Sequence, residues 1–173
     1  MFYDRNSTVE RLVFEDWNPK TFADVPFQLI DPQGDRVPNA VMLFGPQGKF
    51  PPQMPRSVSM PVNQAVKAIH MLSGVGGWSA KNPREDGSVS MIVRIHYADG
   101  TQEDQSLRDG QHFADYIGEF NVPGSQLAFR LRGRQIRYLA VMPRRSAKID
   151  RLELVKGPDQ TAPVVMAVTL ESR

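Results

Sequence analysis

Period-two alternation runs through most of the chain. In "SVSMIVRIHY", residues 88–97, the side chains of Val89, Met91, Val93, Ile95 and Tyr97 fall on one face. Ser88, Ser90, Ile92, Arg94 and His96 fall on the other. That pattern predicts a strand with one core face and one mostly polar face. "ADGT" follows, and Asp99-Gly100 suits a tight turn because it tolerates positive φ. "TQEDQSL" then returns as an antiparallel partner. Similar runs stand before this hairpin ("PFQLI", "AVMLF", "SVSMPV", "AVKAIHML") and after it ("LAFRLR", "IRYLAVMP", "KIDRLELV", "PVVMAVTL"). The segments between them, such as "GPQGKFPPQMP" and "GVGGWSAKNPREDG", carry turn and loop chemistry. No strong amphipathic helical period exists, and "GQHFADYIGEF" reads as an ordered loop. The prediction is an all-β fold, an antiparallel β-sandwich or jelly roll.

Length and composition refine this picture only at its borders. The 173 residues predict one domain over 1–173, with residues 1–25 as an N-terminal arm or extra strand. A net charge of +2 is too small to demand a polyanionic partner. The absence of cysteine excludes disulfides, thiolate metal sites and a cysteine nucleophile. No apolar run approaches the ~20 residues of a membrane span, so no membrane insertion is expected. "MFYDRNSTVERL" has acids and no continuous apolar segment, so it does not read as a signal peptide. An exported parent would make this chain an excised piece.

Candidate chemistry is sparse. Asp99 belongs to a turn, Glu103 and Asp104 point to opposite faces of a strand, and Arg94 and His96 share a solvated face. His70, His96 and His112 lie far apart, without zinc-type spacing. Asp31, Asp35 and Asn39 could offer oxygens to calcium, yet their spacing does not match an EF-hand loop. No cofactor is therefore expected, a structural calcium being the alternative. Asp109 and Asp115 can be imagined as a hydrolase pair, but no partner chemistry joins them, and no catalytic residue is assigned. "GVGGW" lacks the helix that a phosphate loop requires.

Arg130, Arg132, Arg134, Arg137, Arg144, Arg145, Lys148 and Arg151 crowd one third of the chain. Arg130 and Arg132 alternate with Phe129 and Leu131, as on the outer face of a sheet, and the charge is offset by Glu and Asp elsewhere, so nucleic acid is not the expected partner.

Counting strands as simple up-and-down passes sends three long loops to one rim, with Trp78, His112, Tyr116, Arg144 and Arg145 upon it. Aromatic faces with charged donors suit sugar rings, and these five residues are the expected ligand surface.

The segments "AIHMLSGVGGW", "VRIHYADGT", "RYLAVMP", "IDRLEL" and "APVVMAVTL" give the chain a resemblance to galactose-binding-domain-like β-sandwiches. It is similar to the accessory modules of large exported bacterial multidomain proteins, some of them described as membrane-bound dehydrogenases or carrying haem domains. The resemblance spans roughly residues 9–171, and "HYADG" and "APVVMAVTL" are its most specific parts. It implies a non-catalytic, often carbohydrate-binding module outside the cytoplasm, periplasmic or secreted. Its partners would be a glycan or other domains of the parent protein. The alternative it implies is a structural or protein-docking domain without a small-molecule ligand. It supplies no ligand motif for particular residues, and any dehydrogenase chemistry of a parent would lie elsewhere.

Overall fold

A computed structural model describes residues 14, 16–33, 36–76, 87–131 and 133–173. They form an all-β sandwich of two antiparallel sheets. The strands are β1 (Lys20–Phe22), β2 (Val25–Phe27), β3 (Val41–Met42), β4 (Ser57–Gln64), β5 (Val66–Gly76) and β6 (Val89–Tyr97). They continue as β7 (Gln102–Arg108), β8 (Gln126–Leu131), β9 (Arg134–Val141), β10 (Ile149–Lys156) and β11 (Ala162–Ser172). One sheet has the order β4-β10-β6-β7 and the other β3-β11-β5-β9-β8, while β1 and β2 pair as a separate hairpin.

The alternation read in β6 becomes the core. Met91, Val93, Ile95 and Tyr97 are buried and pack with Ile69, Met71 and Leu139 of the facing sheet. Arg94 and His96 remain half-exposed. Asp99 and Gly100 close the hairpin: Gly100 N–H donates to the Tyr97 carbonyl at 3.0 Å with φ 84° at the glycine. Ser90 departs from the expected pattern. It is fully buried, because a bulge between Val89 and Met91 displaces the register and its hydroxyl donates to Asp159 Oδ2 at 2.5 Å.

The N-terminal region accounts for a second departure. Strands β5 and β9 are buried on both faces over much of their length. On their outward side Phe14, Phe27, Leu29, Leu72 and Ile136 form a second apolar cluster with Trp17, Phe22 and Tyr138 around it. The β1–β2 hairpin thus lies over the five-stranded sheet as a third layer. Phe22 and Phe27 meet the Tyr138 ring at 5.3 and 6.2 Å, and Thr169 Oγ1 donates to the Pro26 carbonyl. Of "PFQLI", only Pro26 and Phe27 are in strand.

The two ends of the sandwich differ. At one, which we call the Gly76 end, lie the segments 43–56, 109–125 and 157–161, together with the β8–β9 turn. The Gly100 end carries the β6–β7 turn and the segment 142–148.

Candidate functional site

The Gly76 end is where the five-stranded sheet departs from regular pairing. Strands β5 and β9 pair from Ile69↔Val141 to Ser73↔Arg137 and then separate. Residues 114–117 fill the gap. Val75 N–H donates to the Ala114 carbonyl, Tyr116 N–H to Val75, and Gln135 N–H to Tyr116, at 3.3, 3.0 and 2.9 Å. The wedge is held from below. The buried Gln135 donates its side-chain amide to the Asp115 carbonyl at 2.7 Å. The buried Arg137 guanidinium donates to the Phe120 and Ser125 carbonyls, Ser125 Oγ and Gln135 Oε1, all between 2.7 and 3.1 Å. These four acceptors are all neutral, and burial lowers the guanidinium pKa without removing its charge.

Tyr116 rests half-buried on this wedge. Gly74 and Gly76 lie beneath it, and a Cβ on Gly76 would stand 3.3 Å from Tyr116 Cε1. The Arg134 guanidinium sits 6.0 Å from the ring centroid. Asp115 beside it accepts from Ile117 N–H at 2.8 Å. Burial raises its carboxyl pKa, opposed by that N–H and by the Arg134 charge. His112 is half-buried on the same segment and accepts the Arg108 N–H at Nδ1, 3.1 Å away. Burial lowers its pKa, helped by the Arg108 charge.

Arg144 and Arg145 belong to the opposite end, which corrects the single rim expected from the sequence. Arg145 donates to Asp99 Oδ2 at 2.6 Å and to Thr101 Oγ1, and lies over the Tyr97 ring at 4.5 Å. Arg144 N–H donates to Glu103. The counting failed because residues 109–125 consume half a strand length on their own. β8 begins beside Tyr138 (Gln126↔Tyr138) and runs toward the Gly76 end (Leu131↔Arg134), so β9 descends from it. The structure therefore brings His112 and Tyr116 to one end and Arg144 and Arg145 to the other. Trp78 lies outside the described residues.

The β10–β11 turn adds a buried ion pair at the Gly76 end. Lys156 Nζ reaches Asp159 Oδ1 at 2.7 Å and the Gly157 and Asp159 carbonyls at 2.6 and 2.8 Å. Ser88 and Ser90 hydroxyls and Thr161 donate to the same carboxylate. Burial lowers the Lys156 pKa, against the opposing pull of Asp159. Gly157 is required here, since any Cβ would collide with the Val89 carbonyl.

A neighbouring loop, between β3 and β4, shows residues that the sequence reading had passed over as turn chemistry. The Arg56 guanidinium stacks over Phe44 at 4.0 Å, and Lys49 Nζ lies 5.5 Å from the centroid of Phe50, which is 43% exposed. The signal was available in "FGPQGKFPPQMPR", where two aromatics and two cations punctuate a proline-rich loop.

Among the described residues, no group of three or more His, Asp or Glu side chains is arranged to hold a metal ion. Among the described residues, the basic side chains of 130–151 do not form one track: Arg134 is at the Gly76 end, Arg137 is interior, and Arg144 and Arg145 are at the Gly100 end. No helix among the described residues is long and apolar enough to cross a membrane. Comparison of the chain with family profiles, with curated proteins and with solved structures gave no match.

Proposed function

We propose that this chain is a non-catalytic carbohydrate-binding module, with its ligand surface at the Gly76 end around Tyr116. The observation that carries the reading is the Tyr116 shelf. A half-exposed aromatic ring sits over two glycines, with the Arg134 guanidinium and Asp115 carboxyl beside it. Sugars present an apolar C–H face to such a ring and hydroxyls to flanking donors and acceptors. The backbone under the ring is fixed by Gln135 and Arg137, which lowers the ordering cost of binding. The galactose-binding-domain-like resemblance of the sequence points the same way, and with it goes an exported, extracytoplasmic parent protein.

A non-catalytic role is supported by how the described histidines are engaged. His96 is bonded to Glu153 and Arg151, His70 to Tyr138, and His112 to a backbone N–H. One aromatic stack contributes about 1 kcal/mol, so affinity belongs in roughly the micromolar to millimolar range. The test is titration of a broad glycan panel against the wild type and Tyr116→Ala. Binding by the wild type that weakens about 5-fold in the variant supports the reading. Equal binding by both proteins, or no binding at millimolar concentrations, refutes it, and the second outcome leaves a docking domain.

A further inference from the structure

We infer that the ligand at the Gly76 end is an anionic glycan, bearing carboxylate or sulfate groups and long enough to reach from Tyr116 to the β3–β4 loop. The inference rests on the glycan-binding reading above and adds the charge and extent of the ligand.

Charge is distributed unevenly over the molecule. Away from the Gly76 end, several cations are matched with acids, as in Lys67–Glu171, Arg94–Asp104 and Arg145–Asp99, while Lys148 takes part in no ion pair among the described residues. At the Gly76 end, among the described residues, Lys49, Arg56 and Arg108 take part in no ion pair. Lys49 and Arg56 are exposed, and Arg108 donates to the Gly87 carbonyl at 2.6 Å. In the interior Arg137 keeps a buried charge among the neutral oxygens of Phe120, Ser125 and Gln135. Asp159 is committed to Lys156, so its carboxylate does not offset them. Lys49 and Arg56 thus place cationic charge without an ion-pair partner beside the Phe50 and Phe44 rings, while the Asp115 carboxyl near Tyr116 faces the Arg134 charge. Low-dielectric walls around such charge strengthen its attraction for an anion.

The extent follows from Ala162. A Cβ on Gly45 would stand 2.8 Å from Ala162 Cβ, and one on Gly76 would stand 3.8 Å from the Ala162 carbonyl and 3.3 Å from Tyr116. The β3–β4 loop and the Tyr116 shelf therefore flank the same residue. Gln47 Nε2 donates to Gln160 Oε1 at 3.0 Å, tying that loop to the β10–β11 turn. Pro46, Pro51, Pro52 and Pro55 stiffen it. Phe50 and Tyr116 thus offer two ring surfaces on one end, each with a cation beside it. A single-stranded nucleic acid fits less well, because it needs a continuous basic groove, and the basic segment is divided between both ends and the interior.

The experiment is calorimetric titration of the full chain with four probes at low and high salt. They are an oligogalacturonate, its methyl ester, a heparin oligosaccharide and a single-stranded oligonucleotide. The inference expects the oligogalacturonate or the heparin oligosaccharide to bind, the two arms separating carboxylate from sulfate. Salt should weaken that binding. Lys49→Gln and Arg56→Gln should each weaken it roughly 2- to 5-fold, and Phe50→Ala about 5-fold. Lys148→Gln, at the other end, should leave it unchanged. Binding of the methyl ester as tight as the acid, insensitive to salt, overturns the anionic inference and leaves the glycan reading standing. So does an unchanged affinity in all three loop variants. Tighter binding of the oligonucleotide overturns both, as does the absence of binding by any glycan, neutral or acidic.

Discussion

Lys156 and Asp159 show how one ion pair can hold an end of the sandwich. Their side chains are 2% and 5% exposed, and the carboxylate also takes three hydroxyls and a backbone N–H. Replacing Lys156 by Met leaves that carboxylate buried without its cation, so urea unfolding should show a loss of about 3–5 kcal/mol. A loss below about 1 kcal/mol would mean the pair is dispensable. Among the described residues no three His, Asp or Glu side chains are grouped to hold a metal ion, so a chelator should leave the melting temperature unchanged. A drop on chelation would instead support the calcium considered for Asp31, Asp35 and Asn39, of which Asp35 lies outside the described residues. At the other end, the Asp99 carboxyl pKa is held well below the ordinary carboxylate range by the Arg145 hydrogen bond first and Thr101 second. A depressed carboxyl stabilises the fold above its unfolded pKa and loses that contribution as pH falls through the folded value. Arg145→Ala should therefore raise the Asp99 pKa toward the ordinary value in an NMR titration, and an unmoved titration would contradict the pairing. Tyr97 lies under the same arginine. Burial, then its bond to Glu103, pushes its pKa up to about 12, so it stays neutral across the working range.

At the scale of elements, the strands were legible because their alternation is strong, and β6 with its Asp99-Gly100 turn is the clearest case. The bulge at Ser90 was not legible, since it depends on Asp159, which is distant in sequence. The same limit applied to the arm. "VPF" carries too few residues to announce a third layer, although the two-faced burial of "AIHMLSGV" left an outward face that something had to cover. Phe27 is the test of that layer. It is fully buried between the arm and Tyr138, and Phe27→Ala should cost about 3–5 kcal/mol by chemical denaturation. Amide exchange in β5 should rise with it. A loss near zero would show that the arm rests on the sheet without stabilising it.

For the whole molecule, the error in the expected rim is instructive. Five residues were assigned to one end by counting strands as equal passes. Residues 109–125 broke the count, because an irregular segment anchored by Arg137 and Gln135 advances the chain partway along the sheet without registering as a strand. His112 and Tyr116 kept their end, and Arg144 and Arg145 moved to the other. Their aromatic and cationic companions at the Gly76 end came instead from the β3–β4 loop, where Phe44, Lys49, Phe50 and Arg56 had carried no periodic signal. Both proposals require that ligand is received at the Gly76 end. This requirement is tested most directly by following backbone amide NMR signals while the oligogalacturonate is titrated into the full chain. Binding there should give saturable shifts concentrated in residues 45–56 and 111–117, with 98–101 and 142–148 unmoved. Shifts confined to 98–101 and 142–148 would contradict it.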